Sequence, residues 1–389
     1  MLKCNVGSSV DSNPKAAGAQ AAQEAKQGLS AVVKLAFVYG SADYDLKAML
    51  AGVASEMPGV PLVGNTSFTG VITPKGYISG EHGFIGVMAM ADEDLCVGVA
   101  GAPRGSDPRQ TGAALAREAM KSAGKTTAPD YFYMVASPAE EEYYLKGITE
   151  VIGRVPFFGG SAADNEIAGK WSIYTSDAIF PDGCAIAFFY TDGAFANEYT
   201  GAYHETSDVG IVTAMNGDRN IVAIDGVPAL KKYAAWRGMD TASLKGANLL
   251  AASVVSPLGV KDRLGDLVAI RHPMNGNDDN SINVGNKVSE KTAVIRMEAT
   301  VDELISSAGA TLDALSAKMP EKPAGYFLVH CGGRRAGIGD RINEVADLII
   351  KKADGVPFLC EFTFGEYGFV DDGRNTCGGL MLSFTGFGK

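Results

Sequence analysis

The 389 residues are 46% hydrophobic and 20% charged, enough apolar material for a sizeable core, which excludes a disordered tail and a single small module. Lys and Arg number 34 against 45 Asp and Glu, a net charge of −11, which excludes broad binding to a nucleic-acid backbone or an anionic membrane surface. No apolar run reaches the ~18 residues of a membrane span and the start MLKCNVGSSVDSNPKAAG has no hydrophobic signal core, so the expectation is a soluble, cytoplasmic protein without membrane insertion.

In chain order, residues 1–30 are rich in Ala, Gln and Ser and read as an N-terminal arm, frayed or helical. One pattern then occurs three times: an apolar β-type run, a polar loop, a helix-like stretch, Val-Pro, and a short glycine-containing segment. The first copy is LAFVY (Leu35 to Tyr39), DLKAMLAGVASEM, GVPLVGNTSFTG (Gly59 to Gly70) and GFIGVMAM. The second is YFYMVA (Tyr131 to Ala136), EEEYYLKGITEVIG, RVPFFGGSAADN (Arg154 to Asn165) and CAIAFFY. The third is YFLVH (Tyr326 to His330), DRINEVADLIIKK, GVPFLCEFTFGEYG (Gly355 to Gly368) and GGLMLSFTGF. Phe37 to Val60 and Phe132 to Val155 both span 23 residues, whereas Phe327 to Val356 spans 29.

Each helical stretch keeps apolar positions at i, i+3, i+4 and i+7, as Ile342, Val345, Ala346 and Ile349 do, so one stripe faces a sheet. Strand, crossover helix and strand predict right-handed parallel units, and the further strand predicts mixed sheets. Between the second and third copies lie NIVAID, the short helix GVPALKKYAAW, LLAASVV, DLVAIR, KTAVIRM and a helix near Val301 to Met319. The start of this stretch reads as a degenerate fourth unit, and Asn275 to Asn283 as a hairpin tip. The expectation is an α/β protein of repeated strand-helix-strand units in mixed sheets flanked by helices. Its two domains would span 31–208 and 209–389, divided in GAYHETSDVG.

Candidate site residues cluster at predicted strand ends, where open α/β sheets bind ligands. In the third copy these are Cys331, Gly333 and Arg334 after one strand and Gly365, Glu366 and Gly368 after the next. Arg334 could fork onto a carboxylate and Glu366 accept from an amine, which suits an amino acid; the two could equally pair with each other. The matching turns carry Asn65, Thr66, Ser67 and Thr69, then Ser161, Asp164 and Asn165, which converge on a small ligand or act as ordinary turn formers.

Catalytic templates fail. AGKTT at Ala123 to Thr127 lacks the first glycine of a phosphate loop, since that position is Ala119, and there is no nucleophile elbow, zincin motif or complete dinucleotide fingerprint. The six cysteines contain no C-x-x-C pair, and His82, His204, His272 and His330 are too scattered for a metal motif. No catalytic or metal residue is expected. A thiolate at Cys331 beside Arg334 would be the route to a cysteine-dependent enzyme, and one histidine would suffice to ligate noncovalent haem.

VHCGGRR at Val329 to Arg335, GVPFLCEFTFGEYG, and GRNTCGGLMLSF at Gly373 to Phe384 together resemble the C-terminal domain of the FIST family of signal-transduction sensory domains. The first two copies resemble its N-terminal domain, with Asn65 where that family often has cysteine and no glutamate after Gly70. The resemblance covers residues 30 to 385. It implies a sensor that binds a small metabolite such as an amino acid and signals to a separate partner: a histidine kinase, a cyclase or a chemotaxis receptor. It implies no cofactor for that role. The alternative it carries is a haem-binding nitric oxide sensor acting on a histidine kinase.

Overall fold

Three apolar strands followed by Val-Pro helix exits set up three copies of one chain path. The computed structural model describes residues 1–261, 268–370 and 374–388; Gly373 and the first two residues of DLVAIR lie outside them. The first unit runs β1 (Lys3–Ser9), α1 (Pro14–Ala25), β2 (Val33–Gly40), α2 (Leu46–Glu56), β3 (Leu62–Thr66), the hairpin β4 (Val71–Thr73) and β5 (Gly76–Ile78), then β6 (Ile85–Ala91). The second repeats it as β7 (Cys96–Pro103), α3 (Pro108–Ser122), β8 (Tyr131–Ala136), α4 (Glu141–Ile152), β9 (Phe157–Ser161), the hairpin β10 (Ile173–Thr175) and β11 (Ile179–Phe180), and β12 (Gly183–Tyr190).

The third unit opens with β13 (Phe195–Thr200) and is interrupted at once by a cap. The cap comprises β14 (His204–Met215), β15 (Asn220–Ile224), β16 (Val227–Pro228), α5 (Ala229–Arg237), α6 (Asn248–Ser253), β17 (Leu258–Lys261), β18 (Val268–Arg271), β19 (Pro273–Gly276), β20 (Ile282–Val284) and β21 (Ala293–Glu298). The unit resumes with α7 (Val301–Lys318), β22 (Gly325–Cys331), α8 (Gly332–Ile338), α9 (Ile342–Ala353), β23 (Phe358–Thr363), the hairpin β24 (Glu366–Val370) and β25 (Arg374–Gly378), and β26 (Leu382–Phe387). The extra length of the third copy falls in α8 and the 3₁₀ turn Gly339–Arg341, which stand where the second copy has only the short loop between β8 and α4.

In every unit the two strands joined by the crossover helix are parallel: β2 with β3, β8 with β9, β22 with β23. The last strand is antiparallel to the first of that pair, and the opening strand lies outside it. The hairpins are exchanged in a circle. Unit one lends β4 to β23 of unit three, unit two lends β10 to β3 of unit one, and unit three lends β24 to β9 of unit two. Three six-stranded mixed sheets result, each built from two units.

Their inner faces meet on one axis. Phe37, Tyr133 and Phe327 occupy the same register position in the three units, and their ring centroids form a triangle of 5.1, 4.8 and 5.7 Å. Each outer face carries its own helix pair: α1 with α2, α3 with α4, α7 with α9. Helix starts are set by side-chain caps at Asn13, Asp45, Asp107 and Thr300.

Three expectations change. Of the two readings of residues 1–30, the packed helix holds and the frayed arm does not: they form the edge strand and first helix of unit one, with Ala17, Ala21, Ala22 and Ala25 fully buried. GAYHETSDVG is no linker, since it runs into the 12-residue strand β14, while β13, before residue 208, already belongs to the third sheet. The degenerate fourth unit is absent: every described strand pairing of the cap is antiparallel. The Asn275 to Asn283 hairpin tip and the helix near 301–319 are where the pattern placed them.

Candidate functional site

The exchange of hairpins draws together the three turns that follow β3, β9 and β23. Phe68 N donates to Phe362 O at 2.9 Å, Ala163 N to Thr66 O at 2.9 Å, and Ser161 N to Gly365 O at 2.8 Å, closing a backbone ring around the axis. Just inside it lies a fully buried polar chain. Tyr39 donates to Tyr133 at 3.1 Å, Tyr133 to Asn65 Oδ1 at 3.1 Å, and Asn65 Nδ2 to Glu361 Oε2 at 2.9 Å. Glu361 holds the register position of Asn65, and burial pushes its carboxyl up to about 8.

The turn residues singled out from the sequence are thus brought together, and protein groups occupy them. Ser67 Oγ donates to Gly70 O and accepts from Phe362 N. Ser161 Oγ and Tyr367 OH are 2.6 Å apart. Asp164 accepts four backbone N–H groups between Glu166 and Lys170. Asn165 ties Thr69 N to Ser41 and Asp43. These bonds lock loops.

The third unit differs. Cys331 Sγ accepts from Leu380 N at 3.2 Å and Glu366 Oε2 from Met381 N at 2.9 Å, so both side chains hold the turn Gly378–Met381. Leu380 sits at φ 58°, a left-handed conformation that an L side chain adopts only when its surroundings impose it. Gly378 is needed there because a Cβ would strike Tyr199 Oη. Burial pushes Glu366 up to about 8, which leaves it largely protonated and a donor as well as an acceptor at neutral pH.

Arg334, the largest fully buried side chain, points at α7. Its Nη2 donates to Leu304 O at 2.8 Å and Ser307 Oγ at 2.5 Å. Among the described residues its Nε and Nη1 have no hydrogen-bond partner, and neither does the buried Tyr199 hydroxyl. Among the described ion pairs none joins Arg334 to Glu366, and the raised carboxyl supplies little counter-charge. Tyr203 and Cys331 share this electrostatic environment with Arg334 and Glu366. An unpaired buried guanidinium costs several kcal/mol in general, and an anion is what relieves it.

Cys331 is explained by its counterparts. Four residues past Phe37, Tyr133 and Phe327, at the end of the central strand, stand Ser41, Ser137 and Cys331, and in each the backbone N–H reaches across to the last strand's entry, at Phe84, Gly183 or Met381. The side chains accept backbone N–H groups alike, from Asp43, Gly183 and Leu380. Burial pushes the Cys331 thiol well up, opposite to what a nucleophile needs. Sequence reasoning missed Tyr199, Glu361 and Leu380. Glu361 alone left a signal, a charge in an otherwise apolar strand.

A surface groove of about 1020 Å³, lined by Lys47, Met57, Val99, Glu118 and Phe180, lies away from these residues. Among the described residues no cluster of His, Cys, Asp and Glu could hold a metal ion, and no helix is long and apolar enough to cross a membrane.

The FIST N domain matches residues 34–227 and the FIST C domain residues 229–368. The chain belongs to the FIST family. FIST domains are sensory domains of signal-transduction proteins, which sets the functional class. The FIST junction, at 227 to 229, falls within the cap rather than at its edge. No curated protein matches the sequence. Among solved structures the chain is similar to a cyanuric acid hydrolase from A. caulinodans, at 12% identity and TM-score 0.36 over 99% of both chains. It is also similar to phosphoribosylformylglycinamidine synthase II from Thermotoga maritima, at 9% identity and TM-score 0.23 over 100% of this chain and 72% of that one. At these scores neither likeness bears on activity.

Proposed function

We propose that this FIST protein is a non-catalytic cytoplasmic sensor of a small carboxylate metabolite such as an amino acid, and that a separate signalling protein such as a histidine kinase, cyclase or chemotaxis receptor reads its occupancy. The observation that carries this reading is Arg334: fully buried, with two guanidinium donors unused and no carboxylate paired to it among the described residues. A ligand carboxylate would take the free donors in a two-bond fork. Glu366, protonated or not, stands close enough electrostatically to sense an ammonium group. Occupancy then transmits a signal only as far as it favours one arrangement of the surrounding turn over another.

Haem does not fit as well. His330 offers an unpartnered Nε2, but its ring is buried against Phe362 at 5.3 Å, while His272 contacts Leu250 O and the exposed His204 contacts Glu303.

The test is thermal shift followed by calorimetry with amino acids and small dicarboxylates. A native-state ligand at a hundredfold excess over Kd stabilises by about 2.7 kcal/mol. One chemical class should shift the melting temperature, and Arg334→Met should abolish that shift while the variant stays folded. A shift that survives Arg334→Met removes the guanidinium from the site, and a red protein with a Soret band after haemin addition would replace the metabolite reading altogether.

A further inference from the structure

The cap has a hydrophobic core of its own, including Val212, Leu230, Tyr233, Leu249, Ile282 and Val294. The chain enters and leaves it side by side, because His204 pairs with Glu298. Just past that crossing β14 is irregular between Glu205 and Val209, a feature that bends a strand. On the core side the crossing is anchored: His204 Nε2 meets Glu303 Oε1 at 2.8 Å, and Thr300 and Glu303 form a capping box on α7.

From the crossing, the 12 residues of β14 carry the chain roughly 35–40 Å to a turn holding Asp218 and Arg219. There the cap meets the first turn of α4 in unit two through polar groups. Asn286 Nδ2 donates to Glu141 Oε1 at 3.0 Å, Lys287 N to Glu142 Oε1 at 3.1 Å, and Tyr143 OH to Asp218 Oδ2 at 2.8 Å. Arg219 bonds Glu142 and the Gly285 carbonyl, and the Lys287 ammonium lies over the Tyr143 ring, 3.3 Å from its centroid. Between the two ends the cap covers the Gly378–Met381 turn. The His272 Cβ and Asn286 Oδ1 each lie 3.6 Å from where a Cβ of Gly379 would stand.

We propose that the cap is a hinged lid, with the paired crossing at 201–204 and 298–300 as hinge and the contact of Glu141, Glu142 and Tyr143 with Asp218, Arg219, Asn286 and Lys287 as latch. Opening uncovers the Gly378–Met381 turn and, behind it, Cys331 and Cys377. The latch itself is built from charges and hydrogen bonds that water replaces on release, whereas Val254, Ile270 and Met297 of the cap share a core cluster with Leu304, Ile338 and Leu380 of the third unit, an apolar seam that opening must also break. Glu141 Oε2 pairs with Arg219 at 3.6 Å, too far for a hydrogen bond, and accepts none among the described residues. As a gate to the Arg334 site the lid rests on the sensor reading; as a motion it does not.

Thiol labelling of the unliganded full chain, resolved cysteine by cysteine by mass spectrometry, decides it. In the double variant Tyr143→Phe with Asn286→Ala, Cys331 and Cys377 should label at least about tenfold faster than in the parent protein. Cys4, Cys184 and Cys360, buried on β1, β12 and β23, should not change and so report on global unfolding. Equal acceleration of all five, or none at Cys331 and Cys377, overturns the lid. A protein that answers amino acids through Arg334 but labels uniformly keeps the sensor and loses the lid; selective labelling with no ligand response does the reverse.

Discussion

The first two units and the third follow the same chain path, and only the third buries a cation. Where the copies agree, the architecture accounts for the residue: Phe37, Tyr133 and Phe327 fill one axis, and Ser41, Ser137 and Cys331 do the same backbone work. Where they part, it does not. The inserted α8 delivers Arg334 to α7, and two of its donors gain nothing in return. Groups kept at a cost to stability, against the local rules, are where function is to be sought.

The largest test strikes the shared axis. Phe327→Ala should cost about 3–5 kcal/mol in denaturant titration, because the ring leaves a cavity that three rigid sheets cannot close. Phe37→Ala, its counterpart in unit one, should cost a comparable amount. A loss below about 1 kcal/mol for either breaks the picture of one core shared by equivalent units.

Next comes the position where the axis turns polar and the units differ as Asn65, Gly160 and Glu361. Glu361 is raised from its ordinary 4.5 to about 8, so between those values the folded chain keeps a proton that the unfolded chain has lost. Stability therefore falls as pH rises through that window, by up to ~1.4 kcal/mol per pH unit for one group. Glu366 and Glu141 act in the same direction. Buried neutral His272 and His330, lowered to about 4 and about 3, oppose it only below about 6.5, where the unfolded imidazoles take up protons. Melting followed from pH 6.5 to 8 isolates the carboxyls. Glu361→Gln keeps the bond from Asn65 and should flatten the slope; an unchanged slope assigns it to other groups.

Much of the comparison was legible in the chain. Three apolar runs, each followed by a helical period and Val-Pro, placed the parallel pairs, because those signals are local. The exchange of hairpins was not, since the pairing of Ile173 with Asn65 is decided by sheet edges far apart in sequence. Residues 1–30 read as an arm because alanine is a weak hydrophobic signal, yet Ala17 and Ala21 are buried for their smallness, which lets α1 approach α2 closely. At the site, polar turn residues were visible, but a turn former and a ligand group are the same residue types. Arg334 was visible as a charge; its partner on α7 was not, and Tyr199 reaches the site only through β13.

Replacing the cation sharpens the contrast further. Arg334→Met keeps the bulk and removes the unpaired charge, so the unliganded protein should become about 1–2 kcal/mol more stable while losing its response to carboxylates. Destabilisation of that size instead would mean that the bonds to Leu304 O and Ser307 are the reason the arginine is there.

The smallest effect tests the agreement between units most directly. Cys331→Ser puts in the third unit the residue that the first two already use, with a hydroxyl able to accept the Leu380 N–H. A buried thiol exchanged for a hydroxyl that keeps this bond should change stability by less than about 1 kcal/mol, and the ligand-induced shift in melting should persist. Ser137→Ala removes the acceptor for Gly183 N and should cost about 1 kcal/mol, so the hydrogen bond and not the sulfur is what the position requires. Loss of the ligand response in Cys331→Ser at unchanged stability would make the thiol part of the site, and the third unit would then differ from its neighbours at a position where all three are alike in backbone geometry.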